Sequence, residues 1–394
     1  MRSLNLPIFF LSTVIFLSGC ATVNRTVNKP NRSFGQSNLK VIWQHPLATT
    51  KPLLNIIAVE QGSPLVVDNV VYAASSGGEI IALELSTGRV LWRKQLQDQF
   101  HSTPLFIPKD ENNPITRLVL GSEQATLWVL NAENGTELLQ IKTEHTEAIR
   151  TQPAYSATER LVYFIDLASN IYLADYVDGK IKRTITQMAS EVTSTSQPQP
   201  IIIEDRVFFG LSNGTLISMD LNGAQESVTK LFVATEDTDS VDVSDLVVIP
   251  NNNLLLAASP EIGISAIRTN TPTEKPVWEK QILPNKMVFF PQYNFVVATS
   301  THETLTAFNP QQNNLNKFVH HINKIGDLYP AALKNHLVVA SSRKGLLLFG
   351  MPSGEYLGEA LTTQSFSSAP AVNKQTQFIV VKSNKGTLTA LEIY

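Results

Sequence analysis

Residues 62–96 read GSPLVVDNVVYAASSGGEIIALELSTGRVLWRKQL, and the punctuation of this stretch decides the fold. A small residue and Pro64 open it, and an apolar strand, a turn and a second apolar strand follow. Ser-Gly-Gly then leads into an alternating strand, and Ser86-Thr87-Gly88 into a last strand that carries Trp92. Each run is four to six residues long, β-branched or alternating, and bounded by turn residues. These are the signals of short antiparallel strands joined by tight hairpins.

The same grammar recurs along the chain. The central apolar residue of the alternating strand is Leu83, then Leu130, Ala174, Met219, Ile267, Phe308, Phe349 and Leu391. Successive intervals run from 41 to 48 residues, which makes eight copies. Prolines open the first strand at Pro64, Pro104, Pro153, Pro200, Pro330 and Pro370; the two copies without one fall near Leu246 and Phe289. Gly88, Gly135, Gly179, Gly223 and Gly354 follow the third strand at matching offsets. A repeat of about 40–45 residues with four short strands is the signature of a propeller blade. The spacing predicts an all-β chain, an eight-bladed β-propeller of four-stranded antiparallel blades. A lone blade cannot bury both of its faces, so the ring folds as one unit and residues 40–394 form a single domain.

Closure of the ring is also legible. The last copy stops at Tyr394, after its third strand. Residues 41–47 (VIWQHPL) resemble the fourth strands VLWRKQL (90–96) and VWEKQIL (277–283). The N-terminal strand is therefore expected to complete the eighth blade and remove the open edges.

Residues 1–20 (MRSLNLPIFFLSTVIFLSGC) have the form of an export signal. Arg2 gives a positive start, and the apolar run from Leu6 to Leu17 is too short to span a bilayer but suits a signal peptide. Leu17-Ser18-Gly19-Cys20 resembles the lipobox of bacterial lipoproteins, and Cys20 is the only cysteine in the chain. This predicts a signal peptide over 1–19 and lipid attachment at Cys20, an anchor that several acyl chains make effectively permanent. The absence of Asp after Cys20 points to the outer membrane, where the position holds Ala21. The rest of 20–39 is polar and aperiodic, a tether.

Composition excludes several classes. The formal net charge is -3, and no basic stripe argues for nucleic acid. Gly210, Ser212 and Gly214 fit G-x-S-x-G, but a nucleophile elbow needs a helix after the turn and here a strand follows. His320-His321 lacks metal-ligand spacing, and the other histidines are scattered singly. The acidic run 236–245 (EDTDSVDVSD) lacks the glycine and terminal glutamate of an EF-hand loop. Trp43, Trp92, Trp128 and Trp278 read as packing between blades. The expectation is a chain that is not an enzyme, with no catalytic residue, metal, cofactor or small-molecule substrate.

Residues 82–92 (ALELSTGRVLW) resemble the pyrroloquinoline-quinone-type propeller repeat, in which the glycine and the later tryptophan dock neighbouring blades. Lipobox, length, eight copies and N-terminal closure together resemble the BamB family, lipoprotein subunits of the outer-membrane β-barrel assembly machinery. The resemblance implies a non-catalytic scaffold that binds a BamA-like barrel assembly subunit and unfolded outer-membrane proteins from the periplasmic side. That family docks its partner through a Leu-x-Leu-Arg stretch before the fourth copy. The matching segment here, 191–196 (EVTSTS), has no arginine and makes Val192 and Thr195 the candidate contacts. A family acidic pair before the fifth copy has its counterpart in Asp239, Asp242 and Asp245. The alternatives are a propeller scaffold of another envelope complex, for secretion or adhesion, and a quinoprotein dehydrogenase. Dehydrogenases of that kind are longer and keep tryptophan docking in most blades.

Overall fold

The computed structural model describes residues 38–49, 59–111, 113–186, 197–224, 226–233, 241–272, 275–300, 302–322 and 325–394. Cys20, Val192, Thr195 and Asp239 lie outside them. Among the described residues, 32 strands form eight four-stranded antiparallel sheets. Blade 1 runs through Leu65–Val67, Val70–Ala74, Glu79–Glu84 and Val90–Gln95. Blades 2 to 7 repeat this order and begin at Leu105–Ile107, Ala154–Ser156, Ile201–Ile203, Asp245–Ile249, Pro284–Phe290 and Leu328–Leu333. Blade 8 takes three strands from the C-terminus, Ala371–Asn373, Phe378–Lys382 and Thr387–Ile393, and its outer strand is Leu39–Pro46. The ring therefore closes as the sequence predicts, with Leu39 opposite Ile393 and Pro46 opposite Thr387.

The first strands of neighbouring blades approach one another, which puts them at the hub. The second and third strands are buried on both faces and so read as nearly continuous apolar runs, as in Leu161–Ile165 (LVYFI). Each core cluster spans two adjacent blades. Phe164 and Tyr172 of blade 3, their rings stacked with centroids 5.0 Å apart, pack on Val119, Leu127 and Val129 of blade 2. Fully burying such a side chain contributes about 1.5–3 kcal/mol, a gain that exists only when the neighbouring blade is in place.

Blade-to-blade docking has a fixed geometry at the rim. Trp43 of blade 8 lies under Gly88 of blade 1, and its Nε1 donates to Leu85 O at 2.6 Å. Trp92 of blade 1 lies under Gly135 of blade 2 and donates to Ala132 O at 2.8 Å. A Cβ on Gly88 or Gly135 would stand 2.7 or 2.5 Å from the indole, so only glycine fits. Pairing with the third strand fixes which residue docks: Ala390 faces Trp43, Ala82 faces Trp92, and a bulge follows. The same position holds Leu139 in blade 2, Arg183 in blade 3, Trp278 in blade 5, Phe318 in blade 6 and Gly358 in blade 7. Leu139 reaches Gly179, Arg183 reaches Gly223 and Phe318 reaches Gly354. Gly358 faces blade 8, whose third and outer strands come from opposite ends of the chain, so no hairpin turn exists there to dock on.

Two buried carboxylates latch the N-terminal segment to the ring. Glu79 accepts a hydrogen bond from the Ala48 amide and pairs with Arg93 at 2.7 Å. Glu60 accepts from the Ser76 amide at 3.0 Å and pairs with Lys382, whose Nζ also donates to Gln61 O and Ala74 O. Two sequence details resolve simply. Residues 210–214 form the expected hairpin turn, with Gly214 N donating to Leu211 O. Pro330, expected to open a strand, sits third in Leu328–Leu333. That strand borders the channel, where the missing N–H is tolerated on a free edge.

Candidate binding site at the channel mouth

The segments entering the first strands converge on the axis and enclose a cavity of about 550 Å³. All eight blades contribute to its wall. The contribution has a sequence rule that the strand reading missed: at each of the six repeat prolines, the residue before it lines the cavity. These residues are Ser63, Thr103, Gln152, Gln199, Tyr329 and Ala369. Proline favours an extended conformation in its predecessor, which here serves to aim that side chain at the axis. The periodic x-Pro pair was the available signal.

The wall is polar and internally braced. Ser63 N donates to Thr103 Oγ1 at 2.9 Å, and Gln152 Nε2 to Pro104 O at 2.6 Å. Gln197 Nε2 donates to Ser169 Oγ at 2.9 Å. Each of these bonds ties one blade to the next. Arg150 is held by both carboxylate oxygens of Glu123, at 2.8 and 2.7 Å, and that bidentate pair raises its pKa further. Lys286 Nζ donates to Ser244 O at 2.7 Å. Burial holds His101 below the usual imidazole range, against the opposing pull of Glu123 and Glu60.

Of the acids singled out in the sequence, Asp245 belongs to this wall. It begins the first strand of blade 5, and its Oδ2 accepts the Met287 amide of blade 6 at 2.6 Å. Burial pushes its carboxyl pKa up, with Lys286 pulling the other way. Asp242 lies three residues earlier, half-buried and outside the cavity lining. The structure thus separates two residues that looked like one acidic patch. His320, set aside in the sequence as a metal ligand, is a docking side chain: Nε2 donates to Gly354 O at 2.7 Å. Among the described residues no group of three or more His, Cys, Asp or Glu is placed to hold a metal. The wall offers hydrogen bonds and two cations paired with carboxylates or carbonyls, which suits recognition of a polar surface.

An eight-bladed ring closed by its N-terminal strand, with indoles docked under turn glycines, defines a β-propeller of the quinoprotein-repeat class. The chain belongs to the family of the outer membrane protein assembly factor BamB, whose model matches residues 32–110 and 113–317. Against the curated outer membrane protein assembly factor BamB of Legionella pneumophila (strain Paris), it is 23% identical over 210 residues. That stretch covers 52% of this chain and 53% of the relative, about half of each. The crystal structure of BamB from Moraxella catarrhalis superposes with a TM-score of 0.70 at 15% identity, covering 90% of this chain and 97% of that one. The C-terminal WD40 domain of Sif2 gives 0.69 at 10% identity, with coverage of 90% and 98%. The computationally designed Ika8 protein gives 0.65 at 17%, with coverage of 85% and 97%. Likeness at these identities shows the fold alone.

Proposed function

We propose that this chain is a non-catalytic scaffold lipoprotein that assists the assembly and insertion of outer-membrane barrel proteins through protein–protein contacts. The observation that carries the reading is the family match over residues 32–110 and 113–317. The partners are a BamA-like barrel assembly subunit and unfolded outer-membrane proteins. The anchor is lipid on Cys20 in the outer membrane, with the propeller in the periplasm. A rigid ring that presents loops around a polar mouth suits broad contact with such partners.

Two experiments test this. Replacement Cys20→Ser is expected to move the protein from the membrane fraction to the soluble periplasmic fraction; retention in the membrane would remove the lipid anchor from the reading. Affinity purification of the tagged, lipidated protein in mild detergent, followed by mass spectrometry, is expected to recover the barrel assembly subunit and companion lipoproteins. One sequence feature favours a second reading: segment 191–196 lacks the arginine of the family docking stretch. Recovery of a different envelope complex, with no assembly subunit at comparable yield, would replace the first reading with the second.

The contact residues proposed are Val192 and Thr195 with Asp239, Asp242 and Asp245. Reversal at Asp245 would also break its bond to Met287 N. The informative variant is therefore Asp239→Lys with Asp242→Lys. It is expected to weaken partner capture, and undiminished capture would exclude that segment as the contact.

A further inference from the structure

Among the described residues, each blade ends in an outer strand with one free edge. Bare edges invite pairing with other chains, and a lysine on the edge is a common defence. Seven of the eight outer strands carry one: Lys40, Lys94, Lys142, Lys182, Lys230, Lys280 and Lys317. The exception is blade 7, Glu355–Ala360, which reads EYLGEA.

That strand carries the opposite charge. Glu355 and Glu359 are exposed, and among the described residues neither forms an ion pair. Tyr356 between them is 52% exposed. Its hydroxyl donates to Glu359 Oε2 at 3.1 Å, and its ring meets Phe349 edge-on at 5.6 Å. The aromatic is thus held in place at the surface. Cross-strand pairing sets the faces: Tyr356 and Glu359 lie opposite Phe349 and Leu347 on the side of blade 6, whereas Glu355 lies opposite Gly350 on the other side. The two carboxylates flank the edge from both faces.

We propose that the free edge of blade 7 receives an extended basic segment of a partner protein as a fifth strand. Backbone hydrogen bonds along the edge supply the pairing, and side chains supply the selection. Cations on both faces of the incoming strand meet Glu355 and Glu359, and an apolar side chain packs on Tyr356. The site lies on the rim, apart from the channel mouth. It therefore stands or falls independently of the scaffold reading.

The test uses the full chain in detergent and three labelled peptides. One is built of Lys, Thr and Val with lysines on both faces, one has Glu in place of Lys, and one is the basic peptide interrupted by proline. Fluorescence anisotropy is expected to show binding of the basic peptide alone. At saturation the amides of 355–360 are expected to exchange more slowly with solvent. Glu355→Lys with Glu359→Lys is expected to weaken binding by about tenfold, with an unchanged melting temperature. Equal binding by that variant, equal binding of the proline peptide, or unchanged exchange at 355–360 would each overturn the proposal. Self-association of the chain through this edge without peptide would overturn the choice of partner.

Discussion

At the scale of single residues, the contacts between Trp92 and Gly135 and between Leu139 and Gly179 make a controlled comparison. Both glycines have positive φ, 72° and 76°. Alanine at either therefore carries the same backbone penalty of about 1–2 kcal/mol. At Gly135 the new Cβ would also stand 2.5 Å from the Trp92 ring, while at Gly179 the nearest atom is 3.5 Å away. Gly135→Ala is expected to lose about 1–3 kcal/mol more than Gly179→Ala, measured by chemical denaturation. Equal losses would mean that the indole relaxes freely and does not fix the seam. The sequence announces this device only where it is tryptophan on glycine, at Trp43 and Trp92. Leu139, Arg183, Phe318 and Gly358 hold the same position unannounced. Their role depends on hydrogen-bond register past a bulge, and a bulge of one residue leaves no mark in a single sequence. Trp278 marks the limit in the other direction. It has the right residue and place, but blade 6 turns without a glycine and the Trp278 Nε1 finds no acceptor among the described residues.

At the scale of elements, the strand Leu39–Pro46 carries the ring closure, and its last turn is tied down by a titratable group. His45 is buried, and its Nε2 lies 3.0 Å from Arg93 Nη2. Arginine can only donate, so the imidazole is the acceptor and neutral. Burial, and then the Arg93 charge, hold its pKa below the usual 6.5. A depressed folded value gives stability that is fully present above pH 6.5 and is lost as pH falls through the folded value. The closing strand is expected to weaken on acidification, seen as lower hydrogen-exchange protection factors at 39–46 below pH 6.5. Replacement His45→Gln, which keeps an acceptor but does not titrate, is expected to flatten that dependence. An unchanged pH profile in the variant would clear His45 of the effect. The strands themselves were legible, because alternation and turn residues report local structure. The cavity was not, because its wall draws on residues from every blade whose convergence follows only from the closed ring.

At the scale of the whole molecule, the two ends of the ring are neighbours. Tyr394 N donates to Asn38 O at 3.2 Å. A short turn joining Tyr394 to Asn38 would make the third and outer strands of blade 8 an ordinary hairpin. New ends can be opened at the exposed residues Asp110 and Glu111, in the first hairpin of blade 2. That permuted chain is expected to remain monomeric by size-exclusion chromatography and to melt within a few degrees of the original. Deletion of residues 38–46 is expected to do the reverse: it bares the edge of Thr387–Ile393, removes Trp43 from Gly88 and yields associated species. A monomeric, fully stable deletion would show that the ring does not need its clasp.

The clasp also sets an order of events during synthesis. Gln44 and Thr389, which bond across it, are separated by 345 positions in the chain. Leu39–Pro46 can take its place only after Thr387–Ile393 has emerged, because its partner does not yet exist. Such long-range pairing is slow to form, and it leaves early blades waiting with open flanks. A nascent propeller of this kind stays open until Thr387–Ile393 is delivered.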